Sequence, residues 1–240
     1  MAIGPAGSIY QEETGFNKDL KIEIDPLKTK FIRELKASET SSIFHVHYNG
    51  KPRVLKVFHN NGDPGYASDG VCDLNRSRCE IRAYCNLERF GICDGGYVPK
   101  FYGFILSLNP TSFAPHLDAF QRDDGLPSAI LIEYLLSPLI MNCITYSKEC
   151  MNKTVISIQH IHSTLIEHND TYPKNILIIP GDLERVVWID FDVAITYPSN
   201  TYFGDKERGW IKEETECVKG FGVKLADDQK KGLRPNTKYY

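Results

Sequence analysis

Three oxygen-bearing side chains, Asp170, Asn175 and Asp190, occupy two neighbouring turns of the sequence. Asp170 and Asn175 lie in His168-Asn169-Asp170-Thr171-Tyr172-Pro173-Lys174-Asn175, between a long helical pattern and an apolar strand. Asp190 closes the following strand, in Trp188-Ile189-Asp190-Phe191-Asp192. If the strands over 176–179 and 186–189 are joined by the Gly181-Asp182 turn, Asn175 and Asp190 meet at one end of a hairpin. An amide oxygen and a carboxylate are hard ligands suited to Mg²⁺, which otherwise keeps water and substrate phosphates. Asp170 is then left to orient a hydroxyl and accept its proton. The competing account is that Asp170 and Asn175 only cap turns, a common use of both residue types.

Those turns need elements to hold them. Residues 31–35 alternate weakly, and 43–48 (IFHVHY) alternate cleanly as a half-buried strand should. Asn49-Gly50 is a two-residue hairpin turn, since both residues tolerate positive φ, and 53–58 (RVLKVF) returns as the next strand. From 74 to 90 the period becomes helical: Cys79, Ala83, Leu87 and Phe90 fall on one face, and Gly91 is placed to stop the helix. Strands are expected over 98–106 and 129–135, separated by a polar insertion, 107–128, that reads as a surface loop. A helix is expected over 147–167, with Met151, Val155, Ile158, His162 and Leu165 on one face, and a last helix over 213–226. A strand-rich half followed by a helix-rich half is an α+β arrangement, with a cleft between the halves as the natural ligand site. Residues 1–28 read as an N-terminal extension and 231–240 as a disordered tail. Residues 29–135 and 136–230 read as the two lobes.

Bulk properties narrow the classes. The chain has 240 residues, 42% of them hydrophobic, which suffices for one large or two small cores. A net charge of −3 gives no basic field for nucleic acid or an anionic membrane surface. The seven cysteines have no CxxC spacing and are odd in number, so reduced thiols are expected rather than a zinc site or a disulfide framework. No basic n-region precedes an apolar run at the start, and the longest apolar stretch, 129–141, is short and contains Glu133. A cytoplasmic protein is the expectation.

The pattern His168-x-Asp170-x-x-x-x-Asn175 with Asp190-Phe191 after the next hairpin resembles the protein-kinase-like superfamily, which includes the aminoglycoside and choline phosphotransferases. The resemblance implies a bilobal fold: a five-stranded antiparallel N-lobe with one helix, and a truncated helical C-lobe. Val54-Leu55-Lys56 supplies the lysine of the third strand, and Glu80 lies on the first helix. By that similarity Lys56 grips the α- and β-phosphates of ATP, and Glu80 holds Lys56. Ile132, Glu133 and Leu135 belong to a hinge that meets adenine through backbone groups. Asn175 and Asp190 carry Mg²⁺, with Asp170 as the base.

The sequence departs from that pattern in several places. No GxGxxG is present; the first turn reads Ala37-Ser38-Glu39-Thr40-Ser41-Ser42, so Ser38 and Ser41 are the candidate phosphate donors. The loop has His-Asn-Asp rather than His-Arg-Asp, nearer the His-Gly-Asp of small-molecule kinases. Tyr172 replaces the lysine two residues after Asp170, and Lys174 could supply its charge near the transferring phosphate. Asp192 stands where the family has glycine, either as a turn residue or near the metal. The region that holds a peptide in full protein kinases is mostly missing, as in short fungal kinase-like proteins. The implied activity is transfer of a γ-phosphate to an unidentified hydroxyl acceptor, protein or small molecule. The alternative is a pseudokinase that binds nucleotide or a protein partner on its reduced C-lobe.

Overall fold

The computed structural model describes residues 15–68, 70–181, 185–198 and 203–236. They form two compact units: the described residues up to Cys85 together with Lys100–Tyr134, and Asn86–Pro99 together with the described residues from Leu135 onward.

The first unit is a five-stranded antiparallel sheet with one helix. Its strands are β1 (Thr29–Ala37), β2 (Ser41–Tyr48), β3 (Lys51–Phe58), β4 (Phe101–Ile105) and β5 (Ser128–Glu133), in the order β1-β2-β3-β5-β4. Asn49 and Gly50 have φ of 50° and 74°, the left-handed pair that closes the β2–β3 hairpin as expected. The register fixes the two faces. Ile43, Lys56 and Ile130 form one cross-strand row, with His45, Val54 and Ile132 in the next row on the same face. Phe44, Leu55 and Leu131 point the other way.

Helix α1 (Arg76–Arg89) begins where Asn75 Oδ1 accepts the Arg78 N–H, and ends on Gly91. Gly91 has φ 72°; its N–H donates to Glu88 O, and the Ile92 N–H donates to Leu87 O. This is the double bond of a Schellman stop, and Leu87 and Ile92 are both buried beside it.

The insertion over 107–128 is not the surface loop its polar composition suggests. It forms two 3₁₀ turns, Pro110–Phe113 and Asp118–Arg122, and buries Phe113, Leu117 and Phe120 with Phe44, Leu55, Val57 and Leu131. The insertion is therefore a layer over the sheet face opposite Lys56. Asp123 anchors its end, accepting from His59 Nδ1 at 2.8 Å and from the Asn60 N–H at 3.0 Å. The described part of the N-terminal extension packs on the same unit. Ile22 N–H donates to Phe104 O at 2.9 Å, and Ile24 joins the core. Gly103 permits this approach, since a Cβ there would meet Ile22 Cγ2 at 2.7 Å. Residues 1–14 lie outside the described residues.

The second unit holds α2 (Lys148–His162) and α3 (Asp205–Lys230). It also holds a three-stranded sheet, β6 (Leu139–Ile140), β8 (Ile176–Ile179) and β9 (Arg185–Trp188), and a β7 (Ile166–Glu167)–β10 (Ile195–Thr196) pair. Of the β8–β9 turn, Gly181 is described with φ 87°, while Asp182 lies outside the described residues. Helix α2 starts on Ser147, whose Oγ accepts the Cys150 N–H at 3.0 Å. It ends at His162, five residues before the expected limit at 167. Ser163 and Thr164 hydroxyls donate back to the carbonyls of His160 and Ile161, and Leu165 turns to φ 62°.

Helix α3 is much longer than the expected 213–226. Its glycines at 209, 220 and 222 each weaken a helix interior. Packing overrides them: Thr215, Val218, Gly222 and Leu225 form a buried stripe. At Gly222 a Cβ would come within 2.7 Å of Met151 Cγ, so the glycine is what lets α3 lie close to α2. Among the cysteines, 79, 85, 93, 143 and 150 are buried, none is in a disulfide, and burial pushes Cys79 up to about 12 and Cys85 to about 11. Such thiols are inert small hydrophobes. No helix among the described residues is long and apolar enough to cross a membrane.

Candidate active site

In the first unit β3 and α1 bring Lys56 and Glu80 together. Lys56 Nζ lies 2.5 Å from Glu80 Oε2, with side-chain exposures of 5% and 2%. Two full charges at that burial are costly, and the short ion pair offsets much of that cost. Register places Lys56 between Ile43 and Ile130, so its stem lies along apolar neighbours while the ammonium reaches α1. The start of α1 is braced by Asp73, which accepts from Arg78 Nε at 2.5 Å and from Arg82 Nη1 at 2.7 Å.

The turn before β2 is closed on itself. Ser38 Oγ accepts the N–H groups of Thr40 at 3.3 Å and Ser41 at 3.1 Å, and Ser38 N–H donates to Ser41 O at 2.9 Å. The amides of Ser38 and Ser41, expected to face phosphate, are thus committed within the turn. At the end of β5, Ile132 is buried, and Glu133 N–H donates to Lys100 O at 2.8 Å. Glu133 Oε2 accepts the Lys100 N–H at 3.1 Å. Tyr134 stacks on His45 with ring centroids 3.7 Å apart. Leu135 is half-buried and is the first residue of the second unit after β5.

In the second unit the loop 168–175 is tied at both ends. Asn175 Nδ2 donates to Asp170 O at 2.8 Å and to Asp170 Oδ2 at 2.9 Å. Lys174 Nζ lies 3.1 Å from the same Oδ2. Asn175 O accepts the Ile189 N–H at 3.0 Å, which sets Asn175 directly across from the residue before Asp190. The hairpin therefore does what the spacing predicts, with Ile176 paired to Trp188.

Because Asn175 Nδ2 is spent on Asp170, the amide oxygen is the atom left to a cation, and it accepts no hydrogen bond from the described residues. Asp190, half-buried with φ 69°, is the carboxylate that could join it. No cluster of three or more His, Cys, Asp or Glu that could hold a metal occurs among the described residues. The donor set fits a cation that completes its shell with water and phosphate, as Mg²⁺ does.

A buried acid that the sequence did not mark organises this loop. Glu214 of α3 accepts the His168 N–H at 3.0 Å and the Asn169 N–H at 2.6 Å, and bonds His162 Nε2 at 2.7 Å. Burial raises its carboxyl, but the His162 hydrogen bond and the neighbouring histidines outweigh that and hold it below the ordinary range. The legible signal was an acid inside the buried stripe of α3. His162, read only as a face residue of α2, is its partner. His168 is enclosed: Nδ1 accepts the Asp170 N–H at 3.3 Å, Nε2 meets Ile189 O at 3.0 Å, and the ring lies 4.6 Å from that of Phe191. With Nδ1 accepting, Nε2 carries the proton. Burial pushes this imidazole down, so it stays neutral.

No family model matches the sequence, and no curated protein matches it. Among solved structures, a Stt7 homolog from Micromonas algae, soaked with ATP, matches with a TM-score of 0.52 and 14% identity. The match covers 71% of this chain and 51% of that one. The fold is kinase-like. The five-stranded antiparallel sheet with α1 agrees with that fold. The chain spans about half the length of the kinase-like structure it matches.

Proposed function

We propose that the chain is an ATP- and Mg²⁺-dependent phosphotransferase that moves the γ-phosphate to a hydroxyl acceptor. The observation that carries this reading is that one chain holds both a buried Lys56–Glu80 couple, in its first unit, and, in its second, a loop in which Asp170, Asn175 and Lys174 share one hydrogen-bonded cluster. In this reading Glu80 fixes the Lys56 ammonium for the α- and β-phosphates. Asn175 and Asp190 hold the metal, which neutralises charge on the phosphates. Asp170 accepts the acceptor's proton, and Lys174 offsets charge on the transferring group. Glu133 N–H is already donated, so backbone contacts to adenine fall to other groups of Ile132, Glu133 and Leu135.

The self-closed turn at Ser38–Ser41 favours a second reading, a pseudokinase that binds nucleotide or a protein partner. A turn whose amides bond inward gives phosphate few donors.

Incubation with γ-labelled ATP, Mg²⁺ and a panel of alcohols, peptides and proteins separates the two. Phosphate transfer is expected, and Asp170→Ala should lower it by roughly 10²–10⁴-fold while nucleotide binding survives. Nucleotide binding with no transfer to any acceptor, in wild type, would leave the pseudokinase reading standing. Transfer by Asp170→Ala at the wild-type rate would remove Asp170 from the base role.

A further inference from the structure

A groove of about 590 Å³ runs along the second unit between α2 and α3. Its floor is apolar, made by Met151 and Val155 of α2 and by Gly222 and Val223 of α3. Val223 is 72% exposed, an aliphatic side chain left in water beside the floor. The rim is cationic. Lys148, Lys219, Lys224 and Lys230 line it against one carboxylate, Asp227, which Lys231 neutralises at 2.5 Å. Lys219 pairs with Glu216 at 2.8 Å, whereas Lys148, Lys224 and Lys230 form no ion pair with the described residues. This positive rim belongs to a chain whose net charge is −3.

The groove connects to the loop of Asp170. Lys224 Nζ lies 5.5 Å from the Phe221 ring centre, and that ring is 5.3 Å from Tyr172. Lys174 Nζ lies 5.5 Å over Tyr172 and pairs with Asp170 at 3.1 Å. A strip of ring faces and ammonium groups thus leads from the groove to the candidate base.

We propose that this groove docks an acidic polypeptide segment bearing apolar anchors. The proposal rests on the phosphotransferase reading and names its acceptor class, a hydroxyl carried on an acidic polypeptide. Lysines without ion pairs attract carboxylates and set orientation. The apolar floor accepts Leu- or Phe-type anchors, as grooves that bind amphipathic segments do. A sugar–phosphate backbone would satisfy the rim but leave the floor and Val223 uncovered. On transfer, the acceptor oxygen bonds to the γ-phosphorus, ADP leaves with the electrons of the broken phosphorus–oxygen bond, and the hydroxyl proton passes to Asp170.

The test uses the full chain carrying Asp170→Ala, so that docking is read without chemistry. The probe is a fluorescein-labelled peptide of Glu and Leu with one Ser, followed by anisotropy, beside a counterpart with Lys for Glu. The acidic peptide should bind, more weakly as salt rises, and the lysine peptide should not. Lys148→Glu with Lys224→Glu and Lys230→Glu should weaken binding at least about tenfold. Val223→Asp should weaken it through the floor. All four positions are on the surface, so the melting temperature should hold.

Equal binding of both peptides, or unchanged binding by the triple variant, overturns the docking site. So does displacement by an equally charged oligonucleotide, or a dimer in sedimentation that the triple variant breaks. Peptide binding with no transfer to any acceptor by the Asp170 protein would keep the docking and sink the phosphotransferase reading. Transfer to small alcohols without peptide binding would do the reverse.

Discussion

The two units hold their central charges by opposite means. In the first, side chain grips side chain: Lys56 on β3 meets Glu80 on α1, with almost no exposure of either. In the second, a side chain grips the main chain. Besides its bond to His162 Nε2, Glu214 takes the N–H groups of His168 and Asn169, and so sets the path of the loop. The first arrangement fails sharply when one member is lost, because the other is a buried ion deprived of its nearest countercharge. The second degrades by steps, one hydrogen bond at a time.

The largest effect should follow from breaking the first. Glu80→Ala leaves the Lys56 ammonium buried without its carboxylate and should cost about 3–5 kcal/mol in urea unfolding. The double replacement Lys56→Met with Glu80→Leu removes both charges and should recover most of that loss. If the double variant is as unstable as Glu80→Ala, the cost comes from packing and the stranded-charge account is wrong.

Glu214→Gln should cost less, about 1–3 kcal/mol, since one of two buried amides then faces an NH₂ group instead of an oxygen. Because the change acts on loop path, phosphate transfer should fall while nucleotide affinity stays near wild type. Parallel loss of both would mean Glu214 supports the unit as a whole.

Acid should act on the second unit through two groups. His168 is held neutral by burial, so only the unfolded chain takes up its proton near the ordinary value of 6.5. The stability this group contributes is complete above that pH and is lost as pH falls below it. Glu214 is held below its ordinary 4.5, so its contribution persists to lower pH and is lost as pH drops beneath that value. Melting temperature should therefore decline between pH 7 and 5.5, and His168→Gln should flatten that decline. An equal slope in the variant would assign the effect elsewhere.

This contrast also explains what could be read from the sequence. The placement of Lys56 on a strand, Glu80 on a helix, and Asp170, Asn175 and Asp190 at the turns around one hairpin was legible because Asn49-Gly50 and the β8–β9 hairpin are local signals. The middle of α3, with its stripe, was legible as a helix over 213–226, whereas its first two turns and its last residues were not, and the close approach of Gly222 to Met151 shows only in the fold. Phe113, Leu117 and Phe120 hid among polar neighbours because short 3₁₀ turns leave no long period to detect. Glu214 hid because two of its three partners are backbone amides, which every residue has, and the third, His162, lies 52 residues away in sequence.

The sharpest small test lies in the backbone. No residue of the 37–42 turn has positive φ, whereas Asn169 and Asp190 have φ of 62° and 69°. Asparagine and aspartate tolerate this region better than other side chains, and β-branched residues hardly at all. Asn169 also donates Nδ2 to Val193 O at 3.3 Å, a long contact worth little. Conformation should therefore dominate: Asn169→Gly should cost a few tenths of a kcal/mol, and Asn169→Val about 1–2 kcal/mol. The glycine variant should keep phosphate transfer, because the amide that Glu214 grips is still in place. If glycine costs as much as valine, the Val193 hydrogen bond outweighs the backbone, and the loop is held by side chains much as the Lys56 pair is.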